Sequence, residues 1–320
     1  MMTVKNSKNF SYPGQLGILT ALFGGGMIIG AVLAALIWMA MTGRPITAMQ
    51  SDMLDPKYYY AIMMLQVIST IFIFLLPVYF FAKICYRRPL EFIGLKTSFN
   101  LKQVLLVVGI LGLTFVFSDT LAQLTEMIPL PKSWEVEFKS METARQIQEK
   151  ALININTLPK YIISMFVIAV LPGLLEEIMF RGGIQNILTR WFKGPWIAII
   201  LTAFIFSAIH LSFYGFFVRF ALGMFLGMIF YYSGSLWLSI LFHFLFNGVQ
   251  VTLLYLTSSA PKPTDITDQH LPIWMGLVSL VLIIYGFIRF KKISGFSGNQ
   301  FQVEEQDEGS DFDKWIANNS

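Results

Sequence analysis

Ile168-Ala169-Val170-Leu171-Pro172-Gly173-Leu174-Leu175-Glu176-Glu177-Ile178-Met179-Phe180-Arg181 is an apolar run that breaks at Pro-Gly and then carries two adjacent carboxylates and an arginine. The apolar character reaches back to Tyr161, so the segment reads as a helix embedded in a membrane. A charge at membrane depth costs about 3 kcal/mol even on lenient insertion scales, which makes such residues functional candidates by default. Two later apolar runs each carry one histidine, His210 in Phe206-Ser-Ala-Ile-His210 and His243 in His243-Phe-Leu-Phe-Asn247. The chain has only 3 histidines, and two of them stand inside hydrophobic runs. The remainder of the chain is read as a scaffold that brings these segments together.

Composition agrees with that reading. Of 320 residues, 55% are hydrophobic and 13% charged, which places the chain among all-α, polytopic membrane helix bundles. A formal net charge of +4 gives no reason to expect nucleic acid as a partner and fits basic loops facing anionic lipid. The single cysteine, Cys85, excludes an internal disulfide and a multi-cysteine zinc site. It lies beside a predicted membrane boundary in Lys83-Ile-Cys85-Tyr-Arg87-Arg88, where an incidental small residue is favoured over a palmitoylated one. The first apolar run is too long for a signal-peptide core and is kept as a span.

About eight spans follow from the apolar runs, at roughly 16–41, 58–82, 104–117, 161–180, 196–211, 217–232, 236–256 and 271–287. The third is short and meets Asp119, beyond which it can extend as a polar helix. Residues 119–160 are charged and broken by Pro129 and Pro131. Within them, Trp134, Phe138, Met141, Ala144, Ile147 and Ala151 fall at helical spacing. Two readings stand side by side for this segment: a helix lying on the bilayer surface, or a loop helix packed on the protein. The division expected is a cytoplasmic N-terminus over 1–15, a membrane domain over 16–290 and a polar, disordered tail over 291–320.

The motifs limit the chemistry. Neighbours on a helix point about 100° apart, so Glu176 and Glu177 cannot face one site equally. Glu177 and Arg181 stand in the favourable order for an i,i+4 ion pair, which leaves Glu176 as the unpaired carboxylate and candidate general base. His243 and Asn247 share one helix face, and both can donate to a developing oxyanion. Phe206 stands one turn before His210. Together the segments supply a base, a positioned imidazole and two donors, which suits amide hydrolysis by activated water. Glu176, His210 and His243 also offer two histidines and a carboxylate that could hold zinc with an open position. A serine nucleophile is poorly supported: there is no Gly-x-Ser-x-Gly, and Ser207 stands beside no evident base. No His-Glu-x-x-His occurs either.

The three motifs, Glu176-Glu177-Ile-Met-Phe-Arg181, Phe206-Ser-Ala-Ile-His210 and His243-Phe-Leu-Phe-Asn247, make the sequence resemble the CPBP family of intramembrane proteases. That family includes the CAAX prenyl endopeptidases and the bacterial Abi proteins linked to bacteriocin processing and immunity. The likeness covers about 161–256, which becomes the expected protease core. It implies an α-helical membrane endopeptidase in which Glu176 and His210 activate water and His243 and Asn247 stabilise the oxyanion. Glu177, Arg181 and Phe206 would support the site. No cofactor is expected, because Asn247 is a poor zinc ligand and a good oxyanion donor. Zinc held by Glu176, His210 and His243 is the alternative.

The expected substrate is a membrane-associated peptide or protein, and the expected setting is a bacterial cytoplasmic membrane. Competing readings are a non-catalytic peptide-binding or bacteriocin-immunity membrane protein and a transporter, though no inverted repeat favours transport.

The topology rests on lysine and arginine placement. With an even number of spans both termini share one side, together with Lys83, Arg87, Arg88, Lys96, Lys102, Arg181, Arg190 and Lys193. That side is expected to be the cytoplasm. Cysteines substituted at Lys5 and at Asn318 should therefore resist an impermeant thiol reagent applied to intact cells. Labelling of either from outside would invert the topology.

Overall fold

In lipid a backbone can satisfy its polar groups only within its own helix or in a closed barrel, so long uncharged runs become helices. A computed structural model gives the structure, and it describes residues 10–53, 55–87, 89–95, 99–152, 155–258 and 270–295. Its principal helices are α1 (Tyr12–Thr42), α2 (Pro56–Cys85), α3 (Leu101–Glu126), α4 (Lys132–Leu152), α5 (Leu158–Trp191), α6 (Pro195–Ala208), α7 (Phe216–Ser233), α8 (Leu236–Ser258) and α9 (Ile273–Ile293). No strand occurs among the described residues. Seven of these helices are long and apolar enough to cross a membrane; α6, with 14 residues, is a shorter apolar helix. The polytopic all-α bundle expected from the apolar runs is thus present, with α6 as its eighth apolar helix. The expected polar tail lies mostly over 296–320, outside the described residues, as does the N-terminus over 1–9.

Two segments fill out what the apolar runs left open. α3 continues through Asp119 to Glu126 as one helix. Its start is fixed by a capping box: Asn100 Oδ1 accepts from Gln103 N–H at 3.0 Å, and Gln103 Oε1 accepts from Asn100 N–H at 2.9 Å. Asp119 is accommodated because its carboxylate accepts from Leu271 N–H and from the Gln123 side chain, both at 2.9 Å. α4 is the helix expected between 119 and 160. It packs on the protein by a narrow face, with Phe138 and Glu142 half-buried, while Trp134, Val136 and Met141 face outward. Cys85 is fully buried, a packing residue rather than a site for a lipid anchor.

α5 is the element around which the others are arranged. Half of its most apolar window is buried, and α1, α2, α6, α7 and α8 all pack against it. α8 approaches closely at Gly173. A Cβ there would lie 3.0 Å from Phe244 N and 3.1 Å from Phe244 Cα, so a side chain would have to push backbone rather than a flexible tip. Phe244 directly follows His243, so the absent side chain at 173 sets how near α8 brings that imidazole to α5.

Gly173→Ala should therefore lower stability by about 1–3 kcal/mol through overpacking. Gly24→Ala is the control, because nothing lies within 4 Å of the added methyl. Thermal unfolding of the two purified variants in detergent should separate them, with Gly24→Ala matching the parent.

Candidate active site

Two wide, π-helical turns, Met165–Val170 and Ile178–Gln185, flank the regular stretch Leu171–Glu177 in α5. Such turns insert an extra residue into the helix and recur at functional sites. Sequence chemistry explains the first. Pro172 has no N–H to give Ile168 O, the carbonyl four residues back. Asn247 of α8 supplies the donor instead, through Nδ2 at 3.3 Å.

One turn further on, the carboxylate of Glu177 is the junction of the site. Its Oε1 accepts from Arg181 Nη1 at 2.6 Å and from His243 Nδ1 at 2.9 Å. Glu177 and Arg181 are both 0% exposed. The i,i+4 pair expected from the sequence is therefore present, and Glu177 has a second partner that spacing did not reveal. Arg181 is held in turn by α7 and α6: Nη2 donates to Gly223 O at 3.1 Å, and the guanidinium lies 4.9 Å from the centroid of the Phe206 ring. One turn along α5, Gln185 Nε2 donates to Gly227 O at 2.9 Å. The two donors on α5 and the two acceptors on α7 share the same four-residue spacing. Glycines at 223 and 227 leave those carbonyls open to approach.

A carboxylate beside an arginine only accepts, so His243 carries a proton on Nδ1. Its Nε2 then lies 4.0 Å from Glu176 Oε2. That gap is too long for a direct hydrogen bond and is compatible with one intervening water. Glu176 is on the neighbouring face of α5, and its side chain is 14% exposed against 0% for Glu177. The two glutamates are thus divided as helix geometry requires, one locked inside and one turned toward the open side.

His210 occupies the turn that ends α6. Its Nδ1 donates to Phe206 O at 2.7 Å, which leaves Nε2 as the other face of an exposed ring. The Phe206 ring meets both imidazoles edge-on, with centroids 5.2 Å from His210 and 5.9 Å from His243. The structure therefore joins Glu176, Glu177, Arg181 and His243 directly. It ties Asn247 to the kink in α5 and brings His210 alongside through Phe206. Glu176, His210 and His243 do not converge as metal ligands: among the described residues no three His, Cys, Asp or Glu are grouped closely enough to hold a metal.

Several residues here carry no motif. Ser207 Oγ donates to Phe216 O at 2.6 Å, Arg219 Nη2 to Ser212 O at 3.2 Å, and Gly215 N–H to Ser212 Oγ at 3.2 Å. These bonds fix the 209–215 turn that carries His210. The matched spacing of Arg181/Gln185 and Gly223/Gly227 was a usable signal in the sequence; the serine contacts gave none.

Neither a curated protein nor a solved structure matches the chain. Residues 158–249 match the family model described as Rce1-like, type II CAAX prenyl endopeptidase. That segment runs from the start of α5 into α8 and holds Glu176, Glu177, Arg181, Phe206, His210, His243 and Asn247. By this match and the motifs within it, residues 158–249 are similar to the type II CAAX prenyl endopeptidases.

Proposed function

We propose that the protein is an intramembrane endopeptidase that hydrolyses a peptide bond in a membrane-associated peptide or protein, using water activated by Glu176 and histidine. The observation that carries this reading is the shared Glu177 oxygen: it holds Arg181 and His243 together and turns His243 Nε2 toward Glu176. Membrane-facing surroundings and a buried charge network of this kind are costly to build for packing alone. The family description names CAAX prenyl endopeptidases, so a prenylated C-terminal peptide is the first substrate class to offer.

In the proposed reaction His210 Nε2 accepts one hydrogen of the attacking water, and Glu176 takes the other as its oxygen adds to the scissile carbonyl. The tetrahedral oxyanion receives hydrogen bonds from Asn247 Nδ2 and from Nε2 of His243, which enters the reaction as an imidazolium with its Nδ1 proton held by Glu177. Collapse breaks the C–N bond, and the proton held by Glu176 passes to the leaving amine. Glu177 and Arg181 touch no reacting atom; they orient His243. In the competing mechanism Glu176, His210 and His243 would have to draw together to hold a zinc ion, which would polarise the water. The both-termini-cytoplasmic orientation belongs to the same proposal.

The test uses purified protein in liposomes, a peptide library that includes farnesylated C-terminal peptides, and product analysis by mass spectrometry. Glu176→Gln should lose nearly all turnover. Asn247→Ala should retain substrate binding and lose about a hundred- to a thousandfold in rate, the usual cost of one oxyanion donor. Stoichiometric zinc in active protein that disappears in His210→Ala and His243→Ala would replace the metal-free mechanism. Full cleavage by Glu176→Gln would sink both and return the chain to a peptide-binding role.

Arg181→Ala should act through folding. It leaves the Glu177 carboxylate buried without its cation, a change that typically costs about 3–5 kcal/mol. Folded yield should fall along with activity. A variant as stable as the parent yet inactive would move Arg181 into the chemistry.

A further inference from the structure

α4 lies outside the segment that matches the family, yet it reaches the turn that carries His210. Ser212 Oγ, two residues after His210, donates to Glu142 Oε2 at 3.0 Å. The Phe138 ring of α4 stacks on Phe213 with centroids 4.9 Å apart and planes 5° from parallel. Two adjacent turn residues are thus held by two residues of α4 that stand four apart on one helix face. Glu142 is itself fixed, since Arg145 Nη2 donates to Oε1 at 2.5 Å and Arg145 Nε to Oε2 at 3.3 Å.

The turn needs such support. It contains Leu211 at φ 49°, a left-handed conformation that costs a branched apolar residue and persists only where neighbours hold it. The Ser212 hydroxyl donates to Glu142 and accepts from Gly215 N–H, while its carbonyl accepts from Arg219, so one residue ties α4, the turn and α7 together. Ser212 is 9% exposed, so the contact is no loose surface bond. Burial pulls the Glu142 carboxyl upward, but the hydrogen bonds from Arg145 and Ser212 and the charges of Arg145 and Arg219 outweigh it. The net effect holds the group below the ordinary carboxylate range and keeps it ionised at neutral pH.

We propose that Glu142 is a positioning residue: through Ser212 it fixes the turn that aims His210 at the reacting water, so α4 is part of the active assembly and not a connector. This rests on the endopeptidase reading for the role of His210. The placement of the His210 ring is a claim that stands apart from turnover.

The experiment compares Glu142→Ala, Glu142→Gln, Ser212→Ala and the Glu142→Ala/Ser212→Ala pair in the full chain, reconstituted in nanodiscs. Two readouts are taken. The first is cleavage of the best library peptide, split into kcat and KM. The second is the ring resonances of ¹³C-labelled histidine, of which the chain has only 3. Glu142→Ala and Ser212→Ala should each lower kcat by about ten- to a hundredfold, the scale of a small misplacement of a catalytic group. KM should stay within about twofold, and the His210 resonance should shift while that of His243 does not. The double variant should be no worse than either single one, because both remove the same contact. Glu142→Gln keeps an oxygen to accept from Ser212 and should recover most of kcat. Unchanged kcat and an unchanged His210 resonance in both single variants would overturn the proposal. So would equal movement of His210 and His243, which would mean general loosening. If Glu142→Ala does not fold, Ser212→Ala carries the decision with the smaller change. If the parent cleaves no peptide, the endopeptidase reading fails and the resonances alone decide whether Glu142 holds His210.

Discussion

One carboxylate oxygen fixes the relation of the motif-bearing helices to one another. Glu177 Oε1 is held by Arg181 on its own helix and by His243 on α8, and Arg181 in turn engages Gly223 on α7 and the Phe206 ring on α6. None of these charges has water to fall back on, since Glu177 and Arg181 are both sealed from solvent. In such surroundings the alternative to a satisfied pair is an uncompensated buried charge, which no small rearrangement can accommodate. Four helices are therefore committed to one arrangement by a single group. Glu176 inherits its position from that commitment, about 100° round the same helix.

Pro172-Gly173 sets the same register by different physics. The missing N–H of proline frees the Ile168 carbonyl, which Asn247 takes; the missing Cβ of glycine lets the Phe244 backbone close in. Glu177 meets His243, Gly173 meets Phe244 and Ile168 meets Asn247, so α5 and α8 run antiparallel with three fixed points of contact. Histidine and asparagine four residues apart on α8 are thus each matched to a defect in the regularity of α5. A helix without the Pro-Gly break would offer neither the open carbonyl nor the close approach.

Much of this could be read from the residues in order. Apolar runs gave the helices, and the i,i+4 rule gave Glu177–Arg181 and left Glu176 apart. What spacing does not contain is the rotation of one helix against another. His243 and Asn247 were recognisable as a shared face, but nothing in α8 alone says that His243 turns Nδ1 to Glu177. The same limit applies to α4. Its apolar spacing marked a helix with one apolar face, but of that face Trp134 and Met141 point outward while Phe138 meets Phe213, and the Ser212 partner of Glu142 lies 70 residues on. The extension of α3 past Asp119 was open in the sequence, but the partner that carboxylate finds in Leu271 N–H was not, because it is set by tertiary contact.

The shortness of α6 then has a physical meaning. Fourteen helical residues rise about 21 Å, well below the roughly 30 Å of a hydrocarbon core. A helix of that length entering from one interface would end, with the turn that carries His210, inside the hydrocarbon layer, where exposed backbone is not tolerated unless protein or a water-filled cavity surrounds it. The turn meets that condition through side chains: Ser207 donates to Phe216 O, Arg219 to Ser212 O, and Ser212 accepts from Gly215 N–H. Hydrolysis within a membrane requires water at depth beside a base. Under the proposed reaction, a polar turn ending a short helix, joined to His243 through the Phe206 ring, would leave room for that water where a longer helix would carry the histidine past the site.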